Sequence, residues 1–201
     1  MLNLNALAKQ IYENAVSKGF YDTPPSVGTR FMLIISEASE ALEADRKGKR
    51  ASLAAYDIYK RDSGFDVDSF KNHVKDTLED EIADVVIRVL DYCGYSGIDI
   101  SHIEERLEES LGVIKGTIAE RLEEELSTET ISEMLLSITG KVYYASVSAK
   151  IEDIEDVRTE LGEVIDECFC IAALDGFDLI RHIELKMQYN STRERMHGKK
   201  Y

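Results

Sequence analysis

Proline is almost absent from this chain, and its absence constrains the fold more than any other feature. Only two prolines occur among 201 residues, and both lie together at Pro24-Pro25. Proline lacks a backbone N–H and clashes with the preceding helical turn, so it interrupts helices. The rest of the chain can therefore form long, uninterrupted helices. We predict an all-α fold, an antiparallel bundle of about six to eight helices.

The charge balance limits which partners the chain can bind. Acidic residues exceed basic ones, which gives a formal net charge of −15. Such a chain is a poor non-specific binder of nucleic-acid backbones, so we expect no nucleic-acid partner. The sequence has no continuous apolar run of about 18 residues, so we expect no membrane-spanning segment. An anionic ligand would require a metal ion or a local basic cluster.

Two further features favour a cytoplasmic location. The three cysteines, Cys93, Cys168 and Cys170, lie in apolar stretches, which is typical of buried reduced thiols. The N-terminal residues MLNLNALAKQIYENA lack the pattern of a signal peptide. We therefore expect a cytoplasmic protein with reduced cysteines.

Apolar residues recur at helical spacing along most of the sequence. Glycine, proline and polar clusters separate the periodic stretches. The strongly acidic stretch after residue 98 is most simply a helix with a solvated face. The predicted helices cover about residues 4–18, 29–47, 69–95, 98–126, 129–150, 154–174 and 178–195, with a short helix within 49–60.

The chain contains an internal repeat. The segment EIADVVIRVLDYCGYSGIDI, which starts at Glu81, aligns without a gap with ELGEVIDECFCIAALDGFDL, which starts at Glu160. Upstream of these segments the similarity fades to a shared apolar pattern. We interpret residues 1–126 as one repeat and residues 127–201 as a partial, diverged copy, packed together as one compact unit.

Two pairs of acids are embedded in apolar helical stretches. Glu37 and Glu40 lie three residues apart, as do Glu81 and Asp84. Residues at this spacing project from one face of a helix. If the two helices pack together, the four carboxylates converge and repel, and Mg²⁺ or Mn²⁺ would relieve the repulsion. The alternative is that they are exposed acids on the surface of an acidic protein.

Other metal and nucleotide motifs fit the sequence poorly. A di-iron carboxylate bundle needs two E-x-x-H motifs, and only Glu194 to His197 matches that spacing. The chain has neither a Walker loop nor the glycine fingerprint of a dinucleotide-binding fold. Its cysteines and histidines do not have the spacing of a zinc site.

Three segments together resemble the MazG-like nucleotide pyrophosphohydrolases. They are GFYDTPPSVGTRFMLIISEASEALEADRKGK, EDEIADVVIRVLDYCGYSGIDI and HIELKMQYNSTRERMHGKKY. This family belongs to the all-α NTP pyrophosphatase superfamily, with the dimeric dUTPases and dCTP pyrophosphatases. The resemblance implies a MazG-like bundle in which E-x-x-E and E-x-x-D bind Mg²⁺. It also implies hydrolysis of nucleoside triphosphates to monophosphate and pyrophosphate.

The resemblance also implies substrate-binding residues. In relatives, a helix after E-x-x-D carries a Lys, an Asn and an Arg that face the phosphates. The matching residues here are Lys186, Asn190 and Arg193, with Tyr189 beside them. The alternative is that these residues form the basic, solvated face of a C-terminal helix.

Two aromatic residues match the place where relatives line the pocket for the base. These are Phe20 and Tyr21, in the loop that precedes the proline pair. The alternative for both is packing of loop aromatics on the core.

The arrangement departs from that of simple relatives, in which K-M-x-x-N-x-x-R directly follows the E-x-x-D helix. Here that ending occurs only after the second copy, where Glu160 and Glu163 replace E-x-x-D and no E-x-x-E precedes them. The first half therefore supplies the acids and the second half the phosphate contacts. We interpret the chain as a pseudo-two-fold tandem, either an internal pseudo-dimer or part of a homodimer, with one complete site.

These observations predict a Mg²⁺-dependent nucleoside triphosphate pyrophosphohydrolase that cleans the nucleotide pool. Glu40, or alternatively Glu37, would orient or deprotonate the attacking water. The alternative is a catalytically degraded MazG-fold module that binds nucleotides or serves in assembly.

Overall fold

The chain folds as a bundle of helices. The computed structural model describes residues 3–60, 64–104, 107 and 130–198. These residues form eight α-helices with defined bounds and one 3₁₀ turn, with further helical residues at 101–104 and 107, and they include no strand, which confirms the predicted all-α bundle. In chain order the elements are α1 (Leu4–Ser17), α2 (Val27–Arg46), α3 (Leu53–Tyr59), α4 (Val67–His73), α5 (Leu78–Ser96), α6 (Ile131–Lys150), α7 (Ile154–Asp175), α8 (Leu179–Thr192) and the 3₁₀ turn (Arg195–Gly198).

Two features of the predicted organisation fall outside this description. Most of the predicted helix over 98–126 and the boundary between residues 126 and 127 lie outside the described residues. The main apolar core nevertheless contains residues from both sides of that boundary, from Leu4 to Ile183. None of the described helices is long and apolar enough to cross a lipid bilayer.

Helix α5 lies at the centre of the bundle. It packs against α1, α2, α7 and α8, while α6 packs against α2 and α7. Helices α2 and α5 are antiparallel, because Phe31 contacts Tyr92 while Glu37, farther along α2, pairs with Arg88, which lies earlier in α5. Polar residues on α5 that face α2 or α8 are therefore surrounded by protein.

The predicted continuous helix over 69–95 is wrong, because the chain breaks between α4 and α5. Asp76 adopts a positive φ of 59°, and the Thr77 side chain caps α5 by accepting from the backbone N–H of Asp80. A threonine followed by acidic residues is a typical helix start, which the surrounding apolar periodicity obscured. The break places Glu79, Asp80 and Glu81 in the first turn of α5, where the helix dipole favours negative charge.

The internal repeat recurs in the local structure. Helices α5 and α7 both end at a glycine in the left-handed conformation, Gly97 at φ 67° and Gly176 at φ 79°. Beyond each glycine an aspartate accepts a hydrogen bond from a backbone N–H, Asp99 from Ser101 and Asp178 from Arg181. Glycine adopts this left-handed conformation far more readily than other residues do. The repeated sequence therefore ends both helices in the same way.

Helix α8 is also anchored by a small second core. This core joins α3, α4 and α8. Its aromatic contacts include Phe70 stacked on Tyr189, with ring centroids 4.8 Å apart. Its buried members are Tyr56, Phe70, Val74, Leu185 and Tyr189. The packing fixes the rotation of α8, and Lys186, which lies between Leu185 and Tyr189, contacts α5.

A glycine permits the close approach of α1 to α5. A Cβ at Gly94 would lie 2.5 Å from the carbonyl oxygen of Ala8 and 2.8 Å from the Cβ of Tyr12. We expect Gly94→Ala to lower the free energy of unfolding by about 1–3 kcal/mol, because the backbone of α1 must move. The matched control is Gly140→Ala, also within a helix, where an added Cβ meets no atom of the described residues within 4 Å.

The control should raise the free energy of unfolding by about 0.5–1 kcal/mol, since alanine is the better helix former. Urea denaturation of both variants measures the two changes. Equal effects for Gly94→Ala and Gly140→Ala would contradict the packing described for α1 and α5.

Candidate functional site

A single cavity between α2, α5, α8 and the loop after α1 collects the residues that the sequence singles out. All ten of them line this cavity, so the structure brings together acids from the first half and the basic segment of the second. They are Glu37, Glu40, Glu81, Asp84, Lys186, Tyr189, Asn190, Arg193, Phe20 and Tyr21.

Three of the four predicted acids converge at one wall of the cavity. Oxygen atoms of Glu37, Glu40 and Glu81 lie within 4.8 Å of one another. Glu37 and Glu81 are buried, whereas Glu40 is exposed. The fourth acid, Asp84, lines the same cavity but is paired with a lysine, its Oδ2 atom lying 2.7 Å from the Nζ atom of Lys186.

Glu37, Glu40 and Glu81 form an acid trio, and its two buried members, Glu37 and Glu81, lie in an environment that disfavours the ionised carboxylate. Burial and the neighbouring Asp84 raise the pKa of Glu81 to about 8. Burial and Asp84 also raise the pKa of Glu37, although Arg88 opposes the shift through an ion pair of 2.9 Å. A bound cation would favour the ionised forms of both side chains.

A second group of oxygen atoms adjoins the trio. Atoms of Asp76, Asp80 and Glu81 also lie within 4.8 Å of one another. Among the described residues, both groups of acids able to surround a cation contain Glu81. Glu81 is therefore the acid on which any cation site at this wall most depends.

Lys186 is buried and bridges two acids of α5. Its side chain is 7% exposed, and its Nζ atom lies 2.7 Å from both Asp80 Oδ2 and Asp84 Oδ2. Burial alone would lower the pKa of Lys186, but the two carboxylates outweigh it and raise the pKa. Burial raises the pKa of Asp80 to about 6 in spite of Lys186. Lys186 therefore does not belong to a solvated basic face.

The other predicted residues of α8 divide between packing and the cavity. Tyr189 is buried against Phe70 while it lines the cavity. The Oδ1 atom of Asn190 is buried and has no hydrogen-bond partner among the described residues. The guanidinium of Arg193 lies 5.6 Å from the ring of Tyr189. Asn190 thus places a buried acceptor atom in the cavity wall, and Arg193 places a cation near the ring of Tyr189.

The aromatic loop contributes to a polar network at the other end of the cavity. Phe20 is half-buried, and the Tyr21 hydroxyl donates to Asp91 Oδ2 at 2.8 Å. The same hydroxyl accepts from Nη1 of Arg30 at 2.7 Å. The Arg30 guanidinium also lies over the ring of Tyr95, 3.8 Å from its centroid.

Sequence reasoning missed several residues of the cavity, although a signal for them exists. Arg88 and Asp91 follow Glu81 and Asp84 along one face of α5, at the spacing i, i+3, i+7 and i+10. Arg30 precedes Glu37 and Glu40 on α2 in the same way. Extending each acidic pair along its own helix face would have identified these charged residues.

Residues 130–198, the described part of the second copy, contain no equivalent acid cluster. Glu163 lies 3.8 Å from Lys141 of α6. When the apolar pattern of FMLIISEASEAL in α2 is aligned with that of EMLLSITGKVYY in α6, Thr139 and Val142 occupy the places of Glu37 and Glu40. Helices α6 and α7 match α2 and α5, and α6 carries Thr139 and Val142 where α2 carries acids, with Lys141 between them.

Comparison of the chain with models of protein families, with curated proteins and with solved structures finds no match.

Proposed function

We propose that this chain is a Mg²⁺-dependent nucleoside triphosphate pyrophosphohydrolase of the MazG-like type, which converts (d)NTPs into (d)NMPs and pyrophosphate. One observation carries the proposal. A single cavity holds a trio of converging carboxylates on α2 and α5 and the Lys186, Asn190 and Arg193 segment of α8. Carboxylates can bind a divalent cation, and neighbouring polar side chains can donate hydrogen bonds to phosphate oxygens. This combination suits a polyphosphate substrate. The biological role would be removal of aberrant or excess nucleotides.

The donor set fits magnesium or manganese. It consists of carboxylate oxygens from Glu37, Glu40 and Glu81, with Asp84 one turn farther along α5, and hard divalent cations prefer such oxygen ligands. Burial, and after it the neighbouring Asp84, raises the pKa of Glu81 to about 8, and a bound cation would favour its ionised form. When bound, Mg²⁺ supplies positive charge near the phosphates and lowers the pKa of a bound water.

The side chains take distinct roles in this proposal. Glu40 is the exposed member of the trio and accepts a proton from the attacking water, and Glu37, which is paired with Arg88, is the second candidate for that role. Arg193 donates to phosphate oxygens. Lys186 orients Asp80 and Asp84 and holds α8 beside α5.

One observation favours the alternative of a degraded, non-catalytic binding module. Lys186 already neutralises Asp84, so part of the negative charge that a cation would compensate is paired within the protein. The two functions differ in whether the folded chain binds a divalent cation at Glu81.

Thermal unfolding with Mg²⁺ or Mn²⁺ tests that difference. A cation at about 100 times its Kd stabilises the folded state by about 2.7 kcal/mol, which corresponds to a rise in Tm of roughly 5–10 °C. Glu81→Gln should remove this rise, whereas Glu160→Gln in the second copy should retain it. An equal rise in the Tm of Glu81→Gln would mean that the cation binds at another site.

The proposed activity is tested directly by release of pyrophosphate. The purified chain is incubated with a panel of NTPs and dNTPs, with Mg²⁺ and with EDTA. We expect Mg²⁺-dependent release of pyrophosphate from at least one substrate. Cation binding without turnover of any substrate would favour the non-catalytic module.

A further inference from the structure

The acid wall of the cavity offers two positions for positive charge. One position is formed by the acid trio on α2 and α5. The other lies between Asp80 and Asp84, which are four residues apart and so project from the same face of α5. This second position already holds a cation, because the ammonium group of Lys186 lies 2.7 Å from one oxygen atom of each aspartate.

The ammonium group lies where a divalent cation would find carboxylate ligands. A lysine ammonium is a compact point charge, and Mg²⁺ binds oxygen ligands at about 2.0–2.1 Å. Each aspartate oxygen would therefore move by less than about 1 Å to bind such an ion at the position of the ammonium. The backbone N–H of Asp76 donates to the same oxygen of Asp80 at 3.0 Å and holds that carboxylate in its orientation.

Lys186 cannot give up this position at low cost. Its side chain is only 7% exposed, and its neighbours Leu185 and Tyr189 belong to the second core, which fixes α8. A divalent cation that displaced the ammonium group would leave it inside the protein without its two carboxylates. Burial of an unpaired charge is strongly unfavourable, so the lysine excludes a competing ion.

The charge of the wall also matches a single divalent cation. Arg88 and Lys186 each pair with carboxylates of the wall, so these two cations leave at most three negative charges. One divalent ion reduces the excess to at most one, whereas a second would make the wall positive next to the ammonium group. The carboxylates counted are those of Glu37, Glu40, Asp80, Glu81 and Asp84.

We propose that Lys186 is a tethered cation that occupies the position of a second divalent ion, so that in the absence of nucleotide the cavity binds one divalent cation, at the acid trio. The inference rests on the proposed function, because it concerns the cations of the same cavity. It has a consequence that does not depend on turnover. Loss of the ammonium group should turn Asp80 and Asp84 into an additional cation site.

Counting bound Mn²⁺ tests the inference. Electron paramagnetic resonance measures free Mn²⁺ during a titration of the full chain without nucleotide, at about 0.15 M salt to screen weak surface binding. We expect one ion per chain in wild type and two in Lys186→Met. The double variant Lys186→Met with Asp80→Asn should return to one ion, because an amide is a neutral and weaker ligand.

The second copy provides a matched control. Lys141 also lies between two acids of one helix, 3.8 Å from Glu163 and 3.3 Å from Glu167. Its side chain and that of Glu163 are 25% and 47% exposed, so water solvates this pair. Lys141→Met should therefore still bind one ion, like wild type.

Thermal unfolding gives a second readout. Each ion that binds only the folded state stabilises it. Saturating Mn²⁺ should therefore raise the Tm of Lys186→Met roughly twice as much as that of wild type or Lys141→Met. Since Mn²⁺ replaces the lost charge, it should also restore folding if Lys186→Met alone is too unstable to fold.

The outcomes separate this inference from the proposed function. Two ions in wild type, one ion in Lys186→Met, an added ion in Lys141→Met, or failure of Mn²⁺ to restore folding of Lys186→Met each overturns the inference and leaves the function in place. No ion in wild type but one in Lys186→Met supports the role of Lys186 and overturns the function. No ion in either overturns both.

Discussion

Glu81→Gln is expected to reduce the rate of the proposed pyrophosphate release on the order of 10³-fold or more. Glu81 is buried and belongs to both groups of acids able to surround a cation. Glutamine has nearly the same shape but neither the negative charge nor the second acceptor oxygen. The variant should therefore remain folded and lose cation binding together with turnover.

The internal repeat supplies the matched control. Glu160 of α7 is the counterpart of Glu81 in the second copy. The neighbouring helix α6 has Thr139 and Val142 in place of the E-x-x-E acids. Glu160→Gln should keep pyrophosphate release within about two-fold of wild type, as expected for a polar residue outside the site. If both substitutions abolish turnover, the division of roles between the halves is wrong.

Lys186→Met should cause the largest loss of stability, lowering the free energy of unfolding by about 3–5 kcal/mol. The methionine fills a similar volume but leaves Asp80, which is 1% exposed, without its cation. The double variant Lys186→Met with Asp80→Asn removes both charges and should recover much of this loss. Urea denaturation of wild type, both single variants and the double variant gives the coupling between the two residues.

The loss in Lys186→Met should depend on pH. Burial raises the pKa of Asp80 to about 6 even with Lys186 present, and removal of the lysine raises it further. Above its unfolded pKa, Asp80 then keeps a proton in the folded state that the unfolded state releases, so stability falls as pH rises. The variant should lie closer to wild type at pH 5 than at pH 8. If the difference in the free energy of unfolding between the variant and wild type does not change with pH, Asp80 is not the source of the loss.

Much of the acid cluster follows from sequence spacing. Glu37 and Glu40 form one pair within an apolar helical stretch, and Glu81 and Asp84 form another. Helical geometry alone places each pair on one face of its helix. The pairing of α2 with α5 then brings the two faces together. The repeat also indicated the division between acids in the first half and cations near Arg193 in the second, and the cavity collects both.

Other features of the site depend on contacts that spacing does not reveal. The pair of Asp80 and Lys186 forms because the chain breaks before α5 and because the Phe70 core fixes α8. The break itself was missed because apolar periodicity on both sides outweighed the capping signal at Thr77. The network of Arg30, Tyr21 and Asp91 joins a loop to two helices, so only tertiary packing shows it.

The most direct test of the central claim is identification of the reaction products by mass spectrometry. The claim is that one cavity, built from both halves of the chain, hydrolyses the bond between the α and β phosphates. With Mg²⁺ and a nucleoside triphosphate, wild type and Glu160→Gln should give equimolar monophosphate and pyrophosphate, and Glu81→Gln neither. Release of diphosphate and inorganic phosphate, or no product from any substrate while Mg²⁺ still raises the Tm, would contradict the claim.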